Sequence, residues 1–175
     1  MDRRTPVAKL SRRLGIALTS KAGRVMEKKP YPPGMHGPDQ RRGRGPSEYK
    51  RQLLEKQRLR AQYNVSESPP VKYSTRAARR VGNTPDLLVQ ELETRLDALV
   101  MRAGFAKTIY QARQLVGHCH FTVNGKKCNI PSMQLRVDDV VAVRRRSRTL
   151  QCINEAMDSA SPPEYLDVDR EQMSV

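Results

Sequence analysis

The sequence places two histidines and two cysteines close together, in the run His118-Cys119-His120 and at Cys128. Imidazole and thiolate groups are common ligands of Zn²⁺, and structural zinc sites hold the ion with four tetrahedral ligands. Neighbouring residues of a strand point to opposite faces of the sheet, so three consecutive ligands suit that geometry poorly. We therefore predict no metal site. We expect the histidines to face solvent or a binding partner and the thiols to fill small gaps in the packing.

No motif of an enzyme accompanies this cluster. The sequence has no Gly-x-Ser-x-Gly nucleophile elbow, no glycine-rich phosphate loop followed by Lys-Ser/Thr, and no His-Glu-x-x-His zinc motif. We therefore predict that the chain is not an enzyme, and that it uses no cofactor and no small-molecule substrate.

Positive charge is concentrated in the first half of the chain. Residues 1–80 carry 21 Lys and Arg against 6 Asp and Glu, whereas residues 81–175 carry 12 of each. A base at about every fourth residue favours a polyanionic partner, and nucleic acid is the usual one. Membrane binding would require an apolar face beside the charge, which residues 1–80 lack. The charge therefore predicts a nucleic-acid-binding protein that does not bind membranes.

The elements predicted for the first half are helical or extended. Residues 30–46 hold five Pro and four Gly, which predicts an extended basic linker, or a disordered tail that orders on its partner. Ser47 can cap a basic helix that runs to about Tyr63. Pro69-Pro70 then predicts a break, and a second short basic helix follows from Tyr73 to Arg80.

The second half changes from helical periodicity to strand periodicity. Thr84-Pro85-Asp86 predicts the start of a helix that carries leucines at helical spacing and ends at Gly104. Thr108 and Gln111 form a capping box for the next helix, which ends at Gly117. Asn124-Gly125 then predicts a hairpin between two short strands, and further strand and helix signals follow at 140–143 and 150–157.

Longer motifs resemble one protein family. They are ProGlyMetHisGly at 33–37, Ser47-x-Tyr49-x-x-Gln52-Leu53-x-Glu55-Lys56-Gln57, Arg95-Leu96-Asp97, and Ala112-Arg113-Gln114-Leu115-Val116-x-His118. Together with Val123-Asn124-Gly125 and Asn129-Ile130-Pro131-Ser132, they are similar to the bacterial small-subunit ribosomal protein S-four family. The resemblance runs from about Lys9 to Asp169. The second-half motifs also occur in pseudouridine synthases and heat-shock RNA-binding proteins, and the first-half motifs separate this family from those.

The resemblance implies an α+β fold with a mostly helical basic N-terminal domain and an alpha-L RNA-binding domain of two helices and a small antiparallel sheet. On this basis we divide the chain into a basic Pro/Gly-rich extended segment (1–46), a helical rRNA-binding domain (47–86), an alpha-L domain (87–157) and an acidic C-terminal segment (158–175). Many family members carry a zinc-binding cysteine cluster near the N-terminus, but this sequence has no Cys before Cys119. Family members also usually continue beyond the position of Met173, with an extension that packs on the first domain.

The resemblance further implies a primary binder of 16S rRNA that nucleates the 30S body. It implies a position near the mRNA entrance beside ribosomal protein S-five, which the missing extension would reach, and a part in translational accuracy. The expected location is the ribosome of a bacterial cytoplasm, or of an organelle. The alternative is a non-ribosomal RNA-binding paralogue or an RNA chaperone.

Basic and hydrogen-bonding residues are the expected rRNA contacts. Of the 21 bases in residues 1–80, 14 are Arg, whose forked guanidinium can bridge two phosphates of compact RNA. In the second domain, the N-terminus of the Thr108 helix can receive a phosphate. For Arg113, a salt bridge to Asp97 or Glu93 is an equal alternative. The predicted contacts are Arg12, Arg13, His36, Arg41, Arg42, Arg44, Tyr49, Arg51, Lys56, Arg58, Arg60, Arg76, Arg79, Arg80, Lys107, Thr108, Tyr110, Arg113, Gln114, His118, His120, Asn124 and Lys126.

Overall fold

The structure is a computed structural model that describes residues 5–38 and 45–175. The chain forms two compact units, which divide between Pro70 and Val71. Within the described residues there are eight α-helices and one three-stranded antiparallel sheet. The α+β fold class is therefore confirmed.

Unit 1 is helical, including a region that the sequence analysis assigned to an extended segment. Helix α1 spans Val7–Leu14 and α2 spans Ser20–Lys28, so the extended prediction is wrong for this part of residues 1–46. The Pro and Gly residues that favoured an extended chain lie mostly after α2. Local signals start and stop these helices: Gly15, at φ 73°, ends α1, and the Thr19 hydroxyl accepts a hydrogen bond from the Ala22 amide that starts α2.

The third helix of unit 1 begins where the sequence places it. Helix α3 spans Glu48–Gln62, and the Ser47 hydroxyl caps it by accepting a hydrogen bond from the Lys50 amide at 3.3 Å. Helix α4 (Ser68–Ala78) begins earlier than predicted. Pro69 and Pro70 lie in its first turn, where an amide hydrogen has no partner within the helix, so they start the helix and do not break the chain.

The long helix predicted to run from Thr84 to Gly104 is two helices. Helix α5 (Thr84–Glu93) begins after Asn83, whose side-chain amide donates to Asp86 Oδ2 at 2.8 Å, and α6 (Leu96–Arg102) follows after Thr94 and Arg95. The break is made by residues 131–135, which lie beside it. The Leu96 amide donates to the Met133 carbonyl and the Leu135 amide donates to the Thr94 carbonyl. These bonds join residues about 40 positions apart, so helical periodicity could not reveal them.

The hairpin and the last two helices follow the prediction. Helix α7 (Ile109–Gly117) precedes β1 (Phe121–Val123) and β2 (Lys126–Cys128), and Asn124 and Gly125 both have positive φ in the turn between the two strands. Strand β3 (Val141–Val143) pairs with the other side of β1, which gives the order β2-β1-β3. A short 3₁₀ helix (Arg145–Ser147) and α8 (Gln151–Asp158) follow.

The core of unit 2 lies between the helices and the sheet. Phe105 and Phe121 are buried at its centre with ring centroids 5.9 Å apart, and Leu96, Val116 and Ile153 surround them. Residues of the acidic C-terminal segment also contribute. Leu166, Val168, Met173 and Val175 pack against this core, and the backbone of Met173 and Val175 hydrogen-bonds to β3.

Gly104 is expected to be intolerant of any side chain. It has φ 87°, and a Cβ placed on it would lie 2.2 Å from the Cβ of Ala160. We expect Gly104→Ala to lower the free energy of unfolding of unit 2 by about 1–3 kcal/mol. Chemical denaturation of the full chain measures this. The control is Gly117→Ala, whose Cβ would have no atom within 4 Å and which we expect to leave the stability unchanged or slightly raised. An equal response to both substitutions would contradict the argument.

Candidate nucleic-acid interface

Three of the arginines predicted to contact RNA are engaged within unit 1. The guanidinium of Arg12 donates from Nε to the Tyr31 carbonyl at 3.0 Å and lies over the Tyr31 ring. Arg58 donates from Nε to the Leu14 carbonyl at 2.7 Å, which ties α3 to the end of α1. Arg60 pairs with Glu67 and donates to Gln57, and only 11% of its side chain is exposed. These three side chains thus have clear structural roles.

Other predicted contacts of unit 1 point to solvent. Arg13, His36 and Tyr49 are exposed, as are Arg51 and Lys56. Arg51 forms an ion pair with Glu48 at 3.0 Å, and Lys56 forms one with Glu67 at 3.1 Å. Because exposed ion pairs contribute little to stability, such bases can exchange a carboxylate for a phosphate at small cost. The predicted contacts Arg41, Arg42 and Arg44 lie outside the residues that the structure describes.

The bases of α4 surround one acid. Glu91, almost completely buried, pairs with Arg80 at 3.1 Å and with Arg76 at 3.5 Å. Both arginine side chains are more than half exposed, and Arg79 beside them is exposed as well. One carboxylate therefore faces two guanidinium groups, so positive charge remains on this side of α4.

A buried ion-pair network lies where α6 begins. Arg95 and Asp97 are inaccessible to solvent, and the guanidinium donates two hydrogen bonds to the carboxylate, at 2.9 and 2.6 Å. Burial alone would lower the pKa of Arg95, but its bonds to Asp97 and Tyr73 hold that pKa above its ordinary value. The network thus keeps Arg95 charged inside unit 2.

Arg113 of α7 extends this network to the surface. Its Nη1 lies 3.5 Å from Asp97 Oδ2, while its side chain stays 43% exposed. The other acid considered for Arg113, Glu93, pairs with Arg102 at 2.7 Å. The predicted salt bridge to Asp97 is thus formed, and part of the Arg113 side chain stays accessible to a ligand.

The N-terminus of α7 is capped as predicted, with one difference. The Thr108 hydroxyl accepts from the Gln111 amide at 3.2 Å, but Gln111 Oε1 accepts from the Lys107 amide and not from that of Thr108. Lys107 also pairs with Glu155 at 2.7 Å. Tyr110 has a buried hydroxyl, and burial raises its pKa. Gln114, one turn along α7, is exposed.

The hairpin combines a structural residue with an exposed base. The Asn124 side chain donates to Asp139 Oδ1 at 2.8 Å and accepts from the Val140 amide at 2.9 Å, which fixes the turn against the residues before β3. The hydrogen bonds from the Arg136 amide and from Asn124 lower the pKa of Asp139. Lys126 is exposed on β2.

The two histidines lie beside basic residues that the sequence analysis missed. His118 is exposed, and His120 Nδ1 lies 2.9 Å from the Ser147 hydroxyl. Burial lowers the pKa of His120, helped by His118 and Arg144. Arg144, Arg145, Arg146 and Arg148 follow β3 directly. Four arginines within five positions were a visible signal, but the balanced charge of residues 81–175 concealed it.

The residues that the structure describes form neither a metal-binding cluster nor a membrane-spanning helix. No group of three or more His, Cys, Asp or Glu side chains there is placed to hold a metal ion. No helix among them is both long and apolar enough to cross a bilayer.

Taken with the fold, these features indicate that unit 2 contains an RNA-binding domain of the S4 type. Two helices pack on a small antiparallel sheet, and exposed bases lie on α7, on the hairpin and after β3. The sequence model of the S4 domain family matches residues 94–141. The model of the ribosomal protein S4/S9 N-terminal domain matches residues 2–93, so the two models together span most of the chain.

Curated relatives carry one name. The chain is 53% identical to the small ribosomal subunit protein uS4 of Streptomyces avermitilis over 159 residues, which cover 91% of this chain and 76% of the relative. It is 49% identical to the protein of that name in Roseiflexus sp. (90% and 76% covered) and 47% identical to that of Geobacillus stearothermophilus (96% and 83% covered). The chain therefore belongs to the small ribosomal subunit protein uS4 family. It is a structural ribosomal protein and not an enzyme, and the resemblance seen in the sequence is confirmed.

Proposed function

We propose that this protein is a primary binder of 16S rRNA that nucleates assembly of the body of the 30S subunit. The observation that carries the proposal is the excess of bases in residues 1–80, 21 against 6 acids. The bases are displayed on α3 and α4, where exposed guanidinium and ammonium groups have only exposed or shared acidic partners. Such groups can neutralise phosphates where several RNA helices converge.

Recognition would depend on the shape of the RNA backbone. The major groove of A-form RNA is too narrow for side chains to read, so phosphates and 2′-hydroxyls carry most of the contact. We propose that the exposed members of the predicted set make these contacts: Arg13, His36, Tyr49, Arg51, Lys56, Arg76, Arg79, Arg80, Lys107, Arg113, Gln114, His118 and Lys126. In the same proposal Arg12, Arg58, Arg60 and Asn124 hold the elements that present them.

The finer parts of the proposal concern the place of the protein in the ribosome. We propose a position near the mRNA entrance beside ribosomal protein S-five, and a contribution to translational accuracy from there. In this proposal the protein contributes to accuracy by holding folded rRNA in one geometry while neighbouring subunit proteins move.

The test is reconstitution. The full chain is mixed with 16S rRNA alone and then with the remaining small-subunit proteins, and its co-sedimentation is measured at both stages. A primary binder is expected to sediment with naked 16S rRNA and to be required for particles of full size. Equimolar 23S rRNA is the control for non-specific attraction. If the protein binds both RNAs equally and never stays with the 30S particle, the alternative of an RNA chaperone replaces this proposal.

A further inference from the structure

The turn after β3 carries arginines without acidic partners. We call Arg144–Arg148 the arginine turn. It includes the 3₁₀ helix Arg145–Ser147. Among the described residues, no Asp or Glu lies within ion-pair distance of its four arginines, whereas most of the Lys and Arg residues of unit 2 that were predicted as contacts are paired. The paired bases of unit 2 are Arg76, Arg80, Arg95, Arg102, Lys107 and Arg113.

The arginine turn is also held firmly in place. The Arg144 amide donates to the His120 carbonyl at 2.9 Å, and Arg144 Nη1 donates to the Cys119 carbonyl at 3.1 Å. Ser147, buried, lies against His120, and its amide donates to the Arg144 carbonyl at 2.7 Å. The backbone therefore needs little further ordering when a ligand binds, which favours affinity.

We propose that the arginine turn is a binding surface for the sugar-phosphate backbone of folded RNA. This inference rests on the proposed function and adds to it a surface that the predicted contacts did not include. Arg145 and Arg146 are exposed, and consecutive residues of a 3₁₀ helix point about 120° apart. Their two guanidinium groups can therefore bind different phosphates, each through a bidentate pair of hydrogen bonds.

The composition of the turn favours RNA over an acidic protein. Protein interfaces usually contain an apolar centre surrounded by polar residues. The run Arg144 to Thr149 contains no apolar residue, and none of the large apolar residues exposed on unit 2 lies within it. The two exposed guanidinium groups, those of Arg145 and Arg146, lie in a run without an apolar residue and therefore match a phosphate backbone better.

The experiment uses the full chain and naked 16S rRNA. Arg145→Ala/Arg146→Ala is compared with Arg136→Ala/Arg170→Ala, which removes the same two charges from exposed positions of unit 2 that lie outside the turn and outside the proposed contacts. We expect the first variant to bind about tenfold more weakly than the second, because each lost phosphate contact is a charge-assisted hydrogen bond. The slope of log K against log salt should fall by about two in magnitude.

Three further measurements separate the outcomes. Both variants should keep the melting temperature of the parent, since all four substituted side chains are exposed. Hydroxyl-radical footprinting should lose protection at one local stretch of rRNA in the Arg145→Ala/Arg146→Ala variant alone. Arg145→Lys/Arg146→Lys should restore the salt slope but only part of the affinity, because Lys cannot form the bidentate pair.

Two results would overturn the inference. One is equal affinity of the two alanine variants for 16S rRNA. The other is normal rRNA binding with loss of the Arg145→Ala/Arg146→Ala variant from assembled 30S particles, which would assign the turn to an acidic neighbouring protein. If the parent chain itself does not bind 16S rRNA, it is the proposed function that fails.

Discussion

Asp97→Asn is expected to lower the free energy of unfolding of unit 2 by about 3–5 kcal/mol. Asp97 is completely buried and is the hydrogen-bonding partner of Arg95, of which 2% is exposed. Removing the carboxylate charge would leave a guanidinium in the core without a counterion. An unpaired buried charge destabilises a protein by far more than the buried ion pair stabilises it. The loss should therefore be several times larger than that of an average substitution.

Amide hydrogen exchange at buried residues of unit 2, such as Val116 and Phe121, measures this effect without interference from unit 1. The matched control is Asp167→Asn, the same chemical change at an exposed position, which should alter the stability by less than about 0.5 kcal/mol. A loss below about 1 kcal/mol for Asp97→Asn would show that Arg95 finds another partner or water when the carboxylate is removed.

The second large effect is the salt dependence of binding to 16S rRNA. We expect the association constant to fall on the order of a thousandfold between about 50 and 200 mM monovalent salt, as for a protein that neutralises about six phosphates. Six exposed bases on α3, α4 and α7 match that number: Lys50, Arg51, Lys56, Lys72, Arg76 and Arg113. Each neutralised phosphate releases condensed counterions, and added salt opposes that release.

Filter binding at constant Mg²⁺ gives the slope, because a constant Mg²⁺ concentration keeps the RNA folded across the series. The control replaces the added salt by sucrose, which changes the osmolarity and not the ionic strength. A slope near zero would refute an electrostatic interface and would require that apolar or base-specific contacts hold the RNA.

Local signals were sufficient where a structure depends on neighbouring residues. The Ser47 and Thr108 caps, the end of α7 at Gly117 and the Asn124-Gly125 turn were all predictable, because each involves residues within four positions. The break between α5 and α6 was not, because residues 131–135 make it through hydrogen bonds to a distant part of the chain. Helices α1 and α2 were missed because they are short and polar.

The same distinction applies to the candidate site. Composition identified the type of ligand, since the excess of bases indicates a polyanion wherever the side chains point. It could not show that Arg12, Arg58 and Arg60 turn back to bind carbonyl or carboxylate groups of unit 1, because those partners are brought close only by folding. Averaging the charge over residues 81–175 also hid the arginine turn. In that average, acids elsewhere in the sequence cancel the charge of bases that they do not contact.

The pairing of residues 173–175 with β3 has a consequence for biosynthesis. The amides of Val141 and Val143 donate to the carbonyls of Val175 and Met173, so the outer edge of the sheet is closed by a segment made about 30 residues later. During translation, β3 therefore leaves the exit tunnel with one row of backbone groups open to water. Open strand edges are where chains pair wrongly with one another. Nascent chains of this protein on neighbouring ribosomes are thus exposed to mispairing for the time taken to add those residues, roughly a few seconds at bacterial elongation rates.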